Sequence, residues 1–373
     1  MEKRPSIILD FDLAFKIFIC LTTCSWMPGI TQSGLQMLFL DYGAMVLMAL
    51  SIYYPEEREF KNPMPAIIMA VCIAVALICN YRAFSINIVH VLAGCMIYCA
   101  MVRSLKDPRN LIKFLLILGF INIFIFFLQK FGFDPIYMPQ DSDSVIQKQH
   151  LSSPGILGRN YHLSFFLLPL LPLGLMLKKW YSLIFLVLGS IVVIWIGSWT
   201  AIFSLGILVL FFISKWLSKT ALTILLCLSC LVIGIFMGPM ILHKLMLRGE
   251  IYSFIIKSAL VNPFIGHGLG SFDLAAGLDT AKPIFDSAFN QALKFMYELG
   301  ILATSFILIK MFLYYRKIYA GVEFALLSIV LFLTVPIFHE TLRFAKFITM
   351  GIVIFGIYEI LCSTQKQGEV NEW

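Results

Sequence analysis

The chain has 373 residues, of which 60% are hydrophobic and 13% charged, and it carries a net charge of +7 at pH 7. A soluble globular domain has about 45–50% apolar and about 25% charged residues, so too little polar surface remains here to coat a water-soluble core. The basic residues lie at the ends of apolar segments rather than in one patch. This distribution indicates membrane topology and gives no reason to expect nucleic acid as a partner.

Apolar segments recur along the whole chain, and a membrane-spanning helix needs about 20 such residues. On that scale the sequence predicts an all-α polytopic membrane protein with about twelve transmembrane helices, folded as one integral-membrane domain over residues 1–373. The basic start is followed by no small-residue cleavage site, so we interpret the first segment as a retained span. The predicted spans lie near 11–27, 35–54, 64–80, 84–102, 111–131, 161–177, 180–197, 199–216, 220–241, 288–314, 321–337 and 344–362.

The positions of lysine and arginine orient these spans, because short cytoplasmic loops are enriched in both residues. With the N-terminus inside, every short loop assigned to the cytoplasm carries a basic residue, and the short outer connections are nearly free of them. A missed span would reverse the alternation downstream. Both termini are therefore predicted to be cytoplasmic.

Two loops, residues 132–160 and 243–286, are long enough to hold a site, and both fall on the outer face. A transporter with two six-span halves would have a long cytoplasmic loop in the middle of the chain. Here little more than Lys178-Lys179 joins the sixth and seventh spans, and the sequence has no internal repeat. The chemistry is therefore expected in the outer loops, which face the periplasm in a Gram-negative cell.

The second long loop contains an amphipathic segment followed by a glycine-rich one. Residues 250–261 predict a short helix that lies in the membrane interface. Its apolar side contains Ile251, Phe254, Ile255 and Ala259, and its polar side contains Glu250, Ser253 and Lys257. Asn262-Pro263 ends this helix, and the run Gly266-His267-Gly268-Leu269-Gly270 follows.

The glycine run lacks the context of a nucleotide-binding loop, because it has neither a Walker pattern after a strand nor a GxGxxG pattern within a βαβ unit. A metal site is not indicated, since His267 has no ligand partner at a fixed short spacing. Two interpretations stay open. The run is a flexible turn in which glycine permits positive φ, or a tight bend that presents backbone N–H groups and His267 to an anion.

Separated pieces of sequence around this run form a wider pattern. They are Arg248, Pro263-Phe-Ile-Gly266-His-Gly268-Leu-Gly270-Ser-Phe272, Asn290-Gln-Ala-Leu and Glu298-Leu-Gly300, with weaker pieces at Gly158-Arg159-Asn160 and Ser198-Trp199-Thr200-Ala201. The pattern resembles the signature region of the O-antigen ligase and O-antigen polymerase superfamily. The resemblance covers residues 150 to 305.

The resemblance implies a metal-independent, cofactor-free glycosyltransferase of the bacterial inner membrane with a periplasmic active site. Such an enzyme takes a glycan linked to undecaprenyl pyrophosphate as donor and joins it to another glycan or to lipid A core. Its expected partners are these substrates and the membrane lipid, and a chain-length regulator protein is a further candidate.

The pyrophosphate leaving group carries negative charge, which the protein has to meet with cations if no metal ion does so. The predicted substrate-binding residues are Arg248, Arg159, Lys282 and Arg343, together with Gly266, Gly268 and Gly270. Arg248 ranks first because it also matches the motif, and guanidinium suits bidentate phosphate contact. The alternative for Arg248 is an arginine that snorkels from the top of a helix.

An acceptor hydroxyl needs a general base within hydrogen-bond reach. The predicted catalytic residues are His267, Glu250, His339 and Glu298. A solvated or helix-capping role also explains His267, and an interfacial anchor also explains His339. Glu298 lies inside the tenth predicted span, where a carboxylate faces a bundle interior or a cavity, so it either bonds neighbouring helices or lines the site.

Two positions depart from the pattern of the ligases. Phe289 stands where they carry a histidine, and Trp199 stands where many members carry an arginine. Both departures favour a polymerase over an O-antigen ligase or a protein O-oligosaccharyltransferase. A lipid-linked-glycan flippase or other transporter is a further alternative, which predicts charged or polar residues in the middle of several spans and no dependence on the outer loop.

Overall fold

The computed structural model describes residues 10–23, 32–54, 62–78, 86–133, 157, 160–216, 218, 220–221, 249, 251–268, 271–272, 291–315, 322–338 and 345–366. This part of the chain forms 13 helices and contains no strand. The helices are α1 (Phe11–Thr23), α2 (Gln32–Tyr53), α3 (Met64–Ile78), α4 (Ile86–Ser104), α5 (Pro108–Lys130), α6 (Asn160–Leu175), α7 (Trp180–Ile196), α8 (Trp199–Ser214), α9 (Ile251–Val261), α10 (Gln291–Leu299), α11 (Ile301–Tyr315), α12 (Glu323–Phe338) and α13 (Ala345–Lys366).

The helices lie where the apolar segments predict them. Helices α1 to α8 match the first eight predicted spans, and α12 and α13 match the last two. The ninth predicted span, 220–241, falls almost entirely outside the described residues. The prediction of one continuous helix over 288–314 is wrong, because Gly300 separates α10 from α11.

Two helices are long and apolar enough to cross a membrane by length and composition. They are α5 at Pro108–Lys130 and the Phe347–Thr364 part of α13. In the other apolar helices, the stretches whose side chains the structure describes have 10–17 residues, fewer than the roughly 20 of a typical span. The all-α class is therefore confirmed, whereas a count of about twelve spans is not.

Helix α6 is the central helix of the bundle and packs against α5, α7, α8 and α12. Six of its leucine side chains are fully buried, including Leu163, Leu167 and Leu170. Pro169 and Pro172 lie inside α6 and remove two backbone donors. Such prolines are tolerated in an apolar helix because neighbouring helices enclose it.

Charged contacts mark one end of the bundle, which we call the basic end. At the start of α1, the Asp12 carboxylate accepts a hydrogen bond from the Lys106 backbone N–H at 3.1 Å. At the end of α8, Lys215 forms an ion pair of 2.9 Å with Glu323 of α12. Each of these two contacts joins helix ends that the lysine and arginine pattern assigns to the same side.

Hydroxyl contacts join helices at the other end of the bundle. Thr349, near the start of α13, donates a hydrogen bond of 3.0 Å to Thr22 at the end of α1. Ser204 of α8 is hydrogen-bonded to Thr334 of α12. Because the end of α1 meets the start of α13, these two helices run antiparallel.

Large apolar side chains are exposed on the surface of the bundle as well as buried in its core. Large apolar side chains face outward along α7 and α11, with Trp180 71%, Ile194 58% and Phe312 70% exposed. Polar side chains such as Asn122 and His162 are buried between helices. Water would penalise so much exposed apolar surface, so the outside of the bundle is suited to an apolar environment.

Candidate functional site

Residues 262–268 follow α9 and form a turn, which we call the glycine turn. This turn packs against the break between α10 and α11. The backbone N–H groups of His267 and Gly268 donate to the carbonyl oxygens of Tyr297 and Glu298 at 3.0 and 2.9 Å. On the other side of the break, Leu302 N–H donates to Pro263 O at 3.1 Å. Backbone groups at helix ends lack partners within the helix. The turn supplies those partners to the end of α10 and the start of α11.

The backbone of the turn contacts the backbone of the helix break at two glycines. Gly266 has a φ of +68° and Gly300 a φ of +86°, both in the left-handed region. A Cβ on Gly266 would contact the Gly300 N, and would lie 2.6 Å from the carbonyl carbon and oxygen of Glu298. A Cβ on Gly300 would lie 2.8 Å from the backbone N of Gly266. No other residue type fits either position without moving the backbone.

This geometry bears on the two interpretations of the glycine run. Its residues do form a turn with positive φ, as the first interpretation predicts. The N–H groups of Gly266, His267 and Gly268 all donate to backbone carbonyls, Gly266 to Asn262 O at 2.9 Å. These three amides are therefore occupied and would have to break those bonds to bind an anion. Substrate binding at Gly266 and Gly268 stays a prediction.

His267 occupies a helix-capping position. Its Nε2 lies 3.1 Å from the carbonyl oxygen of Ser258, which belongs to the last turn of α9. A carbonyl only accepts, so Nε2 carries the hydrogen in this contact and Nδ1 of the neutral ring is left as an acceptor. The Nδ2 of Asn262 lies 3.5 Å from Nδ1 and is suited to donate there. Both ring nitrogens thus have partners, and the catalytic role of His267 stays a prediction.

Tyr297 holds α9 and the glycine turn against α10. Its ring stacks on His267 at 4.6 Å and on Phe254 at 5.8 Å, and it meets Phe272 edge-on at 5.6 Å. The apolar side predicted for α9 is confirmed, since Ile251 and Ala259 are among its buried residues. That side packs against protein rather than facing outward.

Glu298 lies on the last turn of α10, beside the break, rather than deep in a continuous span. Its Oε1 is 3.9 Å from Nζ of Lys294, one helical turn earlier, and the two side chains are only 2% and 5% exposed. Lys294 also lies 5.9 Å from the ring centre of Phe272. Sequence reasoning missed this buried lysine, although the Lys294-(x)3-Glu298 spacing that places both on one helix face was visible.

A second polar pair lies between α2 and α4. The Oδ1 of Asp41 is 2.8 Å from Nδ1 of His90, and the side chains are 16% and 7% exposed. Asp41 is a carboxylate inside an apolar segment of the sequence, and nothing in the sequence indicates His90, 49 residues away, as its partner. Buried charged groups are retained where they pair, and in apolar helices they mark functional sites.

The basic end contains a third polar group, formed by α4, α11 and α13. Asn62 donates to the hydroxyl oxygens of Tyr98 at 2.8 Å and Tyr315 at 3.4 Å. Tyr314 donates to the buried Glu359 at 2.6 Å. The sequence alone gave no reason to group these residues. Their arrangement ties the inner ends of the helices together.

The remaining predicted site residues lie outside the described residues, and their roles stay predictions. They are Arg248, Arg159, Lys282, Arg343, Glu250, His339 and Gly270. Within the described part of the chain, no three His, Cys, Asp or Glu side chains are grouped in a way that suits a metal ion.

No known protein family matches the sequence, and no curated protein matches it.

Proposed function

We propose that the protein is a membrane-embedded glycosyltransferase that polymerises undecaprenyl-pyrophosphate-linked oligosaccharide repeat units into O-antigen or another surface polysaccharide. It works at the periplasmic face of a bacterial inner membrane, with both termini in the cytoplasm. It transfers a lipid-linked growing chain to an incoming lipid-linked repeat unit, without a metal ion or cofactor.

The close contact between Gly266 and Gly300 is the observation that carries the proposal. The resemblance to the O-antigen superfamily depends on two pieces of sequence, one around Gly266 and one at Glu298-Leu-Gly300. These pieces meet backbone to backbone in the fold. Motif residues that are distant in sequence but packed together are expected of a shared site, and this supports reading them as one unit.

The surface of the bundle supports a membrane location. Apolar side chains point outward on α1, α2, α7, α8 and α11. Helix α9 adds exposed Leu260 and Val261, next to exposed Phe264 of the turn. A bilayer removes this surface from water, and the turn then lies beside the membrane rather than in bulk solvent.

The chemistry of the reaction calls for cations near the turn. When the sugar–phosphate bond breaks, the electron pair stays on the pyrophosphate oxygen, so negative charge grows on the leaving group. Arg248, just before α9, is the first candidate to meet that charge, with Arg159, Lys282 and Arg343 as further candidates. Lys294 adds a buried cation on the helix that the turn caps.

A transporter is the second candidate, and one observation favours it. Ionisable side chains are buried in several helices, among them His90, His162, Lys294 and Glu359. A flippase for lipid-linked glycans predicts such groups along its path. A glycosyltransferase also accommodates them, because it binds a charged lipid-linked donor, so the burial pattern alone does not decide between the two.

Deletion of the gene separates the candidate functions. Loss of a polymerase leaves single repeat units on the cell surface, whereas loss of a ligase leaves bare lipid A core and accumulated lipid-linked polymer. Loss of a flippase traps repeat units on the cytoplasmic leaflet. The proposal predicts the first phenotype, reversed by the wild-type gene, and either of the others contradicts it.

A further inference from the structure

The proposed transfer needs a base for the acceptor hydroxyl, and the glycine turn does not offer an unoccupied one among its described residues. The Nε2 of His267 is bonded to Ser258 O, its Nδ1 faces the Asn262 amide, and its ring is stacked on Tyr297. Position 289, where the O-antigen ligases carry a histidine, is a phenylalanine in this chain and cannot carry a proton.

The Asp41–His90 pair has the arrangement of an oriented base. A carboxylate accepts hydrogen bonds, so the 2.8 Å contact places the hydrogen of the neutral ring on Nδ1 of His90. The lone pair then lies on Nε2, as in other sites where a carboxylate holds a histidine in its basic tautomer. Among the described residues, no hydrogen bond is made to this Nε2.

His90 lies on the part of α4 that reaches the cluster around Ile265 of the turn, away from the basic end. Val91 and Leu92, which follow His90 on α4, pack into one apolar cluster with Ile265 of the turn and Leu299 of α10. Ser104, at the basic end of α4, lies about 21 Å further along the helix axis from His90. The two residues that follow His90 on α4 therefore share an apolar cluster with the turn.

Among the described residues of the neighbouring helices, no other titratable group is bonded to Asp41 or His90. Helices α1, α3 and α13 pack against α2 and α4. Asp12 and Glu359, the acidic groups among their described side chains, are bonded at the basic end, to Lys106 N and to Tyr314. The remaining titratable side chains on these five helices are Lys16, Cys20, Tyr42, Tyr53, Cys72, Cys95, Tyr98, Cys99, Arg103, Tyr358 and Cys362, and none of them is hydrogen-bonded or ion-paired to Asp41 or His90 within the described residues.

We propose that His90, oriented by Asp41, is the general base that takes the proton from the acceptor sugar hydroxyl. This assignment rests on the proposed glycan transfer. The hydroxyl proton moves to Nε2, the oxygen forms a bond to the anomeric carbon, and the bond from that carbon to the pyrophosphate oxygen breaks. Undecaprenyl pyrophosphate leaves with the electron pair. The imidazolium, paired with the Asp41 carboxylate, then releases its proton to water.

The test uses the full-length protein in lipid nanodiscs, with lipid-linked glycan extracted from the deletion strain as the probe. The elongation rate is measured as a function of pH for the wild type, His90→Gln, Asp41→Asn and Asp41→Glu. His162→Gln is the matched control, because His162 is a buried histidine that is 2% exposed and lies on α6, outside the pair. Size-exclusion profiles establish which variants fold.

The wild type is expected to elongate the glycan. His90→Gln lowers the elongation rate roughly 100- to 10,000-fold across the pH series. Asp41→Asn has a similar effect, since the asparagine amide donates to Nδ1 and forces the hydrogen onto Nε2. Asp41→Glu recovers part of the rate, and His162→Gln keeps the wild-type profile.

The outcomes distinguish a failure of the proposed function from a failure of the assignment of His90 as the base. Absence of elongation by the wild type overturns the proposed function and this assignment with it. Elongation by the wild type together with an unchanged rate and pH profile in His90→Gln overturns the assignment alone. If His90→Gln does not fold, Asp41→Asn decides in the same way, because it keeps His90.

Discussion

Replacing Gly300 with alanine tests whether the close contact at the helix break stabilises the fold. The new Cβ would lie 2.8 Å from the backbone N of Gly266 and of Ile265 and from the carbonyl carbon of Phe264. Backbone atoms cannot rotate away as a side chain does, so the turn has to move from the break. Gly132 is the matched control, since it has the same φ of +86° and nothing within 4 Å of an added Cβ.

The expected magnitudes follow from two contributions. A left-handed φ costs an alanine about 1–2 kcal/mol, which applies to Gly132→Ala and Gly300→Ala alike. Moving the turn also breaks the three backbone hydrogen bonds between the turn and the break, at about 1 kcal/mol each. Gly300→Ala is therefore expected to lose about 4–5 kcal/mol of unfolding free energy, against about 1–2 kcal/mol for Gly132→Ala.

The assay is denaturant unfolding in mixed micelles, followed by tryptophan fluorescence. Hydrogen exchange adds a local readout at the amides of His267, Gly268 and Leu302, which should lose protection in Gly300→Ala and keep it in Gly132→Ala. Equal destabilisation by the two substitutions, with the three amides still protected, would refute the reasoning about close approach.

Substitutions at three further polar contacts test how much each contact stabilises the fold. Lys294→Met removes the ammonium group beside the Glu298 carboxylate and should lower the unfolding free energy by about 3 kcal/mol. Adding Glu298→Gln should recover part of the lost stability. No recovery in the double variant would mean that the two charges are not coupled. Tyr314→Phe removes a hydrogen bond to the buried Glu359 and should lower the unfolding free energy by about 1.5–3 kcal/mol. The same denaturant assay measures this loss, and an unchanged unfolding free energy would contradict the contact. His267→Ala should lose about 1 kcal/mol, because a cap of α9 is removed, and His267→Asn, which can still donate, should retain more stability than alanine does.

The positions of the helices were predictable because they depend on local composition. A run of apolar residues bounded by lysine or arginine fixes where a helix starts and ends, and nearly all predicted segments appear as helices. The break at Gly300 was missed for the same reason. The apolar pattern continues through residue 300, and the pattern carries no information about φ.

The contacts at the candidate site depend on residues distant in sequence, and this limited what the pattern revealed. Gly266 and Gly300 were both noted as motif residues, yet their contact follows from the packing of the turn on α10. Asp41 was recognisable as an unusual carboxylate, but pairing with His90 depends on how α2 and α4 pack. Lys294 was recoverable from its spacing to Glu298, since four residues in a helix place both on one face.

Reconstitution of the purified protein tests the central claim most directly. Lipid-linked repeat units from the deletion strain are added to liposomes that contain the protein, and both the glycan length and the released undecaprenyl pyrophosphate are measured. The account predicts a ladder of longer lipid-linked glycans, with one undecaprenyl pyrophosphate released for each linkage formed. Repeat units that cross the bilayer with no change in length and no released pyrophosphate would contradict it and identify a transporter instead.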